Sequence, residues 1–190
     1  SAAWVAGGTV RLTSSSNQVG GVFRTVGFSA APFTADFSIE VLSGSVADGM
    51  AFVVAAQPSS LGGGGGGLAY LNLPNASMGV EFDIWNNGSG NGDTDSNHTA
   101  IDWNGAFQST AVAVPQSFIG TGIFRAVVTF DGINTLAVVL YQPNGNQVTL
   151  SATVPTSAVP GTMHIGFTGG TGGGAATHCV HSVTVAAVQP

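Results

Sequence analysis

Residues 33–41 read FTADFSIEV, and this segment decides the class of fold. Apolar and polar residues alternate along its whole length, from Phe33 to Val41. Successive side chains of a β-strand point to opposite faces of the sheet, so the alternation predicts a strand with one buried face and one exposed face.

The same period of two recurs along most of the chain. Further strands are expected at residues 9–13, 50–56, 79–85, 124–130, 136–141, 162–168 and 179–185. The dipeptides Asp131-Gly132 and Asn144-Gly145, which follow two of these segments, are typical of hairpin turns. No amphipathic helix of useful length is found. We therefore expect an all-β fold, an antiparallel sandwich or barrel, with residues 1–190 as a single domain.

The composition excludes several classes of function. The chain of 190 residues has three Arg, no Lys and a net charge of −6, which leaves no basic surface for nucleic acid or anionic lipid. No apolar run approaches the roughly 18 residues that a membrane-spanning helix needs. A single cysteine, Cys179, excludes an intramolecular disulfide. The Ser-, Thr-, Gly- and Asn-rich composition favours a secreted or cell-surface protein.

Acidic residues are concentrated in one short segment. Five of the nine lie between Glu81 and Asp102. On the predicted strand 79–85, the side chains of Glu81, Asp83 and Trp85 share one face. Carboxylates side by side repel each other unless a cation or protons neutralise them. The alternative interpretation is a solvated acidic loop beside a strand whose carboxylates face water.

The loop that follows this strand supplies further metal ligands. Asn87, Asp93 and Asp95 offer oxygen atoms of the kind that Ca²⁺ binds, whereas His98 offers a nitrogen that a transition metal prefers. The mixed set predicts two neighbouring ions, Ca²⁺ and one closer to Mn²⁺ in character. Asp93 and Asp95 are competing candidates for the same ligand position.

The order of these residues resembles the metal-binding loop of the L-type (legume) lectins, including the Ile-Asp-x-Asn motif at residues 101–104. The resemblance implies a jelly-roll sandwich of the concanavalin type that binds Ca²⁺ and Mn²⁺, or another transition metal. It implies a transition-metal site at Glu81, Asp83, Asp93 and His98. It implies a Ca²⁺ site at Asp83, the Trp85 carbonyl, Asn87 and Asp93.

Three other segments are similar to the sugar site of that family: residues 46–52 with an Ala-Asp-Gly motif, Gly66, and residues 166–180. The family has a cis peptide bond at the position of Ala47–Asp48, which the metals lock in place. The resemblance implies a carbohydrate-binding site made of Asp48, Gly66, Trp85, Asn87, Gly173 and Gly174. The length of segment 171–180 matches the mannose- and glucose-binding members, so we expect glycans with those sugars.

Two other functions are considered. Laminarinase-like glycoside hydrolases carry a second catalytic Glu three or four residues after the Asp of a Glu-x-Asp motif, and those positions here are Asn86 and Asn87. Asn does not act as a general acid or base, so we expect no enzyme activity. A structural or adhesive module that binds no sugar is the second alternative, and the joint presence of Asp48, Gly66 and Asn87 weakens it.

Source and assembly are predicted less directly. Asn87 and Asn97 begin N-glycosylation sequons, and glycans there would block the expected sites, which favours a bacterial or other non-plant source that does not glycosylate them. In the resembled family, subunits often pair through sheet edges or flat back faces, so a homodimer is one expected assembly. His164, His178, His181 and Cys179 are interpreted as structural residues.

Overall fold

The computed structural model describes residues 2–57, 61–108 and 110–187. Fourteen strands are found in these residues: β1 (Ala3–Val5), β2 (Thr9–Thr13), β3 (Val19–Phe23), β4 (Phe28–Ser29), β5 (Phe33–Val41), β6 (Gly49–Ala55), β7 (Ser77–Asp83), β8 (His98–Trp103), β9 (Val112–Ala113), β10 (Phe124–Phe130), β11 (Thr135–Tyr141), β12 (Gln147–Thr153), β13 (Thr162–Gly170) and β14 (His178–Ala187). The described helices are single 3₁₀ turns at Ala6–Gly8, Gly65–Gly67, Ser89–Asn91 and Thr156–Ala158. None of them is long enough to cross a membrane.

The strands form two antiparallel sheets. The back sheet has the order β1-β2-β14-β5-β10-β11-β12, and the front sheet has the order β3-β13-β6-β7-β8-β9, with β4 paired to β13. The inner faces of the sheets pack together, so the predicted antiparallel β-sandwich of jelly-roll type is confirmed.

The core lies between the sheets and is rich in aromatic residues. Burial alternates along β5 as the sequence pattern predicts. Phe37 of β5 stacks on Phe52 of the front sheet, with ring centroids 5.2 Å apart, and meets the edge of Phe167 at 4.9 Å. Rings packed across two sheets contribute dispersion energy beyond that of the buried area alone.

The front sheet is also covered on its outer face at β6. Tyr70 and Leu73, from the loop between β6 and β7, pack on the alternate side chains of β6. Every residue of β6 and β7 is therefore buried. This explains why the β6 sequence, GMAFVVA, is apolar at nearly every position instead of alternating.

The predicted strand at residues 79–85 extends two residues beyond the C-terminal end of the observed strand. Strand β7 ends at Asp83, so Trp85 does not lie on the strand face shared by Glu81 and Asp83. The hydrogen bond from the backbone N–H of Ile84 to the carbonyl oxygen of Asp48 is the last contact of the β6–β7 pair. The chain then turns where Oδ1 of Asp83 accepts the backbone N–H of Trp85. The remaining predicted strands are present with small changes at their ends. The sequence pattern did not predict six further strands, namely β1, β3, β4, β8, β9 and β12.

Candidate functional site

Strand pairing brings the acidic residues of the sequence together. Glu81 and Asp83 lie two residues apart on β7, and Asp83 is paired with His98 of the neighbouring β8. Each of these three side chains is at most 2% exposed. One ligand atom from each lies within 4.8 Å of the others, which is a spacing suited to a shared metal ion.

Asp93 joins this group from the loop between β7 and β8. The Nε2 atom of His98 lies 3.3 Å from Oε1 of Glu81 and 3.8 Å from Oδ1 of Asp93. Asp95 points elsewhere, because its Oδ1 accepts the backbone N–H of Asn97 at 2.7 Å. The structure therefore brings Asp93, and not the Asp95 carboxylate, to the group. Glu81, Asp83, Asp93 and His98 are called the acidic cluster below.

The hydrogen bonds of His98 leave one ring nitrogen available to a metal. Nδ1 lies 2.9 Å from the carbonyl oxygen of Asp95. A carbonyl only accepts, so Nδ1 carries a hydrogen, and Nε2 is the ring nitrogen through which the neutral imidazole can bind a metal. Among the described residues, Nε2 of His98 and Oε2 of Glu81 are buried without a hydrogen-bond partner. Buried acceptors without partners are costly, and a divalent cation coordinated by both fits this donor set.

Burial also disfavours negative charge in the acidic cluster. It raises the pKa of Glu81 to about 8, with a further contribution from the charge of Asp93. Burial likewise raises the pKa of Asp83 to about 8, and the charge of Glu81 adds to it. Without a cation, these carboxyl groups hold protons near neutral pH, and a metal ion must displace them.

Asp102 is a member of this region that the sequence interpretation left without a role. It is buried, and its Oδ1 accepts the backbone N–H of Gln108 at 2.8 Å. Burial, with a further contribution from the charge of Glu81, raises the pKa of Asp102 well above its ordinary value. Residues 98, 100 and 102 share one face of β8. Recognition of β8 as a strand would have placed Asp102 beside His98.

The residues of the predicted sugar site lie around one cavity of about 410 Å³. The start of β6 and the ends of β7 and β13 meet at one end of the front sheet, because β6 is the antiparallel neighbour of both other strands. We call this space the loop cavity. Its lining comprises Val46, Ala47, Asp48, Gly65, Gly66, Trp85, Asn87, Gly172, Gly173 and Gly174, which includes all six predicted residues.

Asp48 is held rigidly in the wall of the loop cavity. The Ala47–Asp48 peptide bond is cis, as the resemblance implied. Oδ2 of Asp48 accepts the backbone N–H of Gly172 at 2.6 Å. Burial raises the pKa of Asp48, while the hydrogen bonds from Gly172 and Asn87 lower it.

The acidic cluster positions the segment that lines the loop cavity. Oδ1 of Asp83 accepts the backbone N–H of Trp85 at 2.6 Å, and Oδ2 of Asp93 accepts that of Asn87 at 2.5 Å. Trp85 is 49% exposed, so its side chain is a cavity wall and not part of the core. The cluster and the cavity are therefore joined by direct hydrogen bonds.

The chain matches known proteins along nearly its whole length. The family model of the legume lectin domain matches residues 1–189. A galactose-binding lectin of Arachis hypogaea is 29% identical over 163 residues, which cover 80% of this chain and 59% of that protein.

Solved structures of lectins share the fold. A structure of basic winged bean lectin with Tn-antigen is 25% identical, covers 97% of this chain and 88% of its own, and has a TM-score of 0.86. Peanut lectin with a 9-mer peptide is 27% identical, with coverages of 98% and 90% and a TM-score of 0.82. The chain belongs to the legume lectin domain family.

Proposed function

We propose that the protein is a non-catalytic lectin that binds a sugar in the loop cavity. The observation that carries this proposal is the convergence of Asp48, Asn87 and exposed glycine backbone around one space. Sugar hydroxyls need directed donors and acceptors, whereas the C–H face of a sugar ring needs a flat apolar surface. The lining of the loop cavity offers both.

The proposed contacts follow from the groups still available. Asp48 offers its Oδ1 as an acceptor, because Oδ2 already accepts from Gly172. The backbone N–H groups of Gly173 and Gly174 donate to no protein atom among the described residues, so they are free for a hydroxyl. The exposed ring of Trp85 supplies the apolar surface. Gly66 and Asn87 complete the proposed sugar-binding set.

We propose that metal ions support this site without contacting the sugar. Glu81, Asp83, Asp93 and His98 would hold a transition metal such as Mn²⁺. Asp83, the Trp85 carbonyl, Asn87 and Asp93 would hold Ca²⁺. The unpartnered nitrogen of His98 and oxygen of Glu81 support the first set. The bound charge stabilises the ionised carboxylates that fix the backbone of Trp85 and Asn87.

A glycan array on the protein loaded with Ca²⁺ and Mn²⁺, and on the same protein after EDTA treatment, tests this proposal. We expect binding that is lost on chelation and returns when the metals are restored. Asp48→Asn removes one acceptor charge and is expected to weaken binding at least tenfold. Unchanged binding after complete metal removal, checked by elemental analysis, would contradict metal dependence.

The array also tests specificity and the alternative functions. The length of segment 171–180 predicts mannose or glucose, whereas the relative from Arachis hypogaea is named for galactose. Competition with free mannose, glucose and galactose compares the two directly. An array without signal at saturating metal would favour an adhesive module. Release of reducing sugar from β-glucans would favour a hydrolase.

Three further properties of the protein stay predictions: its secretion, its organisation as a single domain over residues 1–190, and its assembly as a homodimer.

A further inference from the structure

A second and larger cavity, of about 580 Å³, opens between the two sheets. We call it the sheet cleft. It shares no lining residue with the loop cavity. Its walls come from β1, β2 and β14 of the back sheet and from β3, β4 and β13 of the front sheet. The volume is within the range of about 300–1,000 Å³ that small-molecule sites occupy.

The walls of the sheet cleft combine buried core residues with apolar side chains that are partly exposed. Val10, Ile165 and Phe167 form its interior, and Phe23 and Phe28 lie closer to the opening. Val10, Ile165 and Phe167 are at most 7% exposed, so the sheet cleft ends on the closed core of the sandwich. An apolar molecule held between these walls would remove apolar surface from water, which favours binding.

A β-bulge shapes one side of the opening. The pairing of β14 with β5 shifts between His181 and Val183, and Ser182 at this point has a φ of 25°. Val183 follows the bulge, lines the sheet cleft and is 46% exposed. Bulges redirect side chains at sheet irregularities and are frequent beside binding sites. Here the bulge leaves a large apolar side chain at the entrance.

Arg24 provides a charge at the same entrance. Its side chain is exposed and lines the sheet cleft, and within the described residues it forms no ion pair. Arg125, by contrast, is paired with Asp36. The other basic side chain of the lining, His181, already contacts Thr9 through Nδ1 and Glu40 through Nε2. Arg24 is thus the cation at this entrance that is free to bind an anion.

We propose that the sheet cleft binds an amphipathic monocarboxylate, with its apolar body between the sheets and its carboxylate on Arg24. A guanidinium group presents two parallel N–H donors that match the two oxygens of a carboxylate. The negative net charge of the chain disfavours polyanions, whereas a single carboxylate on a mainly apolar molecule matches one exposed Arg above an apolar cleft. This function is independent of sugar binding.

Isothermal titration with decanoate, below its critical micelle concentration, tests the proposal, and methyl decanoate serves as the uncharged control. We expect saturable binding of decanoate with a stoichiometry of one. Arg24→Gln is expected to weaken decanoate binding about threefold to fivefold, as for an exposed ion pair, and to leave the methyl ester unaffected. Raising the salt concentration should reproduce the effect of R24Q on the wild type.

A matched pair of variants tests the position of the ligand. Val183→Trp places a large ring at the entrance and should abolish decanoate binding. Val26→Trp adds the same ring at an exposed residue outside the lining and should leave the affinity unchanged. Circular dichroism and sugar binding check that both variants are folded.

Three results would overturn the proposal: no binding of decanoate, equal weakening by V183W and V26W, or equal affinity of wild type and R24Q for decanoate. Concentration-dependent self-association that V183W abolishes and decanoate does not affect would also overturn it, because the occupant would then be a second copy of the chain. Sedimentation velocity with and without decanoate measures this.

Discussion

Gly66 lies where any side chain would collide with a central residue of the proposed sugar site. A Cβ atom built at Gly66 lies 2.3 Å from Oδ1 of Asn87. At Gly90, by contrast, no atom lies within 4 Å of a built Cβ. Gly66 lines the loop cavity and Gly90 does not, and of these two glycines only Gly66 requires the absence of a side chain for the packing of its neighbour.

We therefore expect Gly66→Ala to displace Asn87 and to weaken sugar binding at least tenfold, because a proposed hydrogen-bonding group leaves its position. Gly90→Ala is the matched control and should retain affinity within about twofold, since its methyl group enters open space outside the loop cavity. Titration of both variants with the best glycan from the array provides the measurement. Equal losses at the two positions would show that loop flexibility, and not the position of Asn87, controls binding.

His178 is a buried histidine that the proposed functions do not use. It is wholly buried, its Nδ1 lies 2.8 Å from the hydroxyl oxygen of Thr13, and that hydroxyl donates to the carbonyl of Ala176. Nδ1 is therefore the donor to Thr13, and Nε2 is buried without a partner. Burial lowers the pKa of His178 to about 3, from 6.5 when exposed.

The folded state thus binds fewer protons at His178 than the unfolded state does between pH 6.5 and about 3. The contribution of neutral His178 to stability is complete above pH 6.5 and is lost as the pH falls through this window. Between pH 6.5 and 4.5 the expected loss is about 2–3 kcal/mol. Urea unfolding of wild type and His178→Gln at both pH values measures it. If the two proteins lose the same free energy on acidification, His178 is not the cause.

At the scale of the strands, regular alternation predicted the fold well, and buried polar residues limited the prediction. Strands β5 and β10 have apolar residues at every inward position, and their predicted bounds are confirmed. Strand β8 was not predicted, because His98 and Asp102 occupy buried positions where the pattern requires apolar residues. The turn after β7 forms where Oδ1 of Asp83 accepts the backbone N–H of Trp85, and the alternating pattern of residues 79–85 does not distinguish this turn from a longer strand.

The candidate metal ligands were predicted more readily than the strands that carry them. Carboxylates, Asn and His in one short segment have a recognisable coordination chemistry, whatever their secondary structure. The choice between Asp93 and Asp95 depended on the path of the loop. The structure brings Asp93 towards His98, and it directs the carboxylate of Asp95 to its own loop. Their roles as ligands stay predictions.

The acidic cluster on β7 and β8 gives the metal-free protein an unusual dependence on pH. The pKa values of Glu81 and Asp83 are raised to about 8, so the folded state binds more protons than the unfolded state between the ordinary carboxyl pKa and pH 8. The corresponding stability is complete below the ordinary pKa and is lost as the pH rises towards 8. A bound metal ion removes this loss of stability at high pH, because the ion binds the carboxylates in their ionised form.

We therefore expect the EDTA-treated protein to have a lower Tm at pH 8 than at pH 6.5, and the metal-loaded protein to show little change. The range from pH 6.5 to 8 lies above the pH range in which protonation of His178 lowers stability, so this measurement does not include the effect of His178. Glu81→Gln removes one of the groups and should reduce the dependence on pH in the metal-free protein. Scanning calorimetry at the two pH values provides the measurement. A metal-free Tm that rises between pH 6.5 and 8 would contradict the assignment.

At the scale of the whole molecule, the sandwich holds its two candidate sites in separate places with different support. The loop cavity depends on loops at one end of the front sheet, and the backbone N–H groups of Trp85 and Asn87 in its lining donate to Asp83 and Asp93. The sheet cleft is lined mainly by residues of paired strands and includes no residue of the acidic cluster. The segment from Trp85 to Asn87 is held by the cluster, whereas the paired strands are held by the ladder and the core.

Chelation should therefore separate the two proposed functions. At 20 °C, where we expect the metal-free protein to stay folded, EDTA should abolish binding to the best glycan of the array and change the affinity for decanoate by less than twofold. Titration of each ligand into metal-loaded and metal-free protein measures both effects, and near-ultraviolet circular dichroism confirms that the core is intact. If both ligands lose affinity together while the core stays folded, the two sites are coupled. The sandwich would then not isolate the sheet cleft from the loops, and the strand ladder would not be the element that supports it.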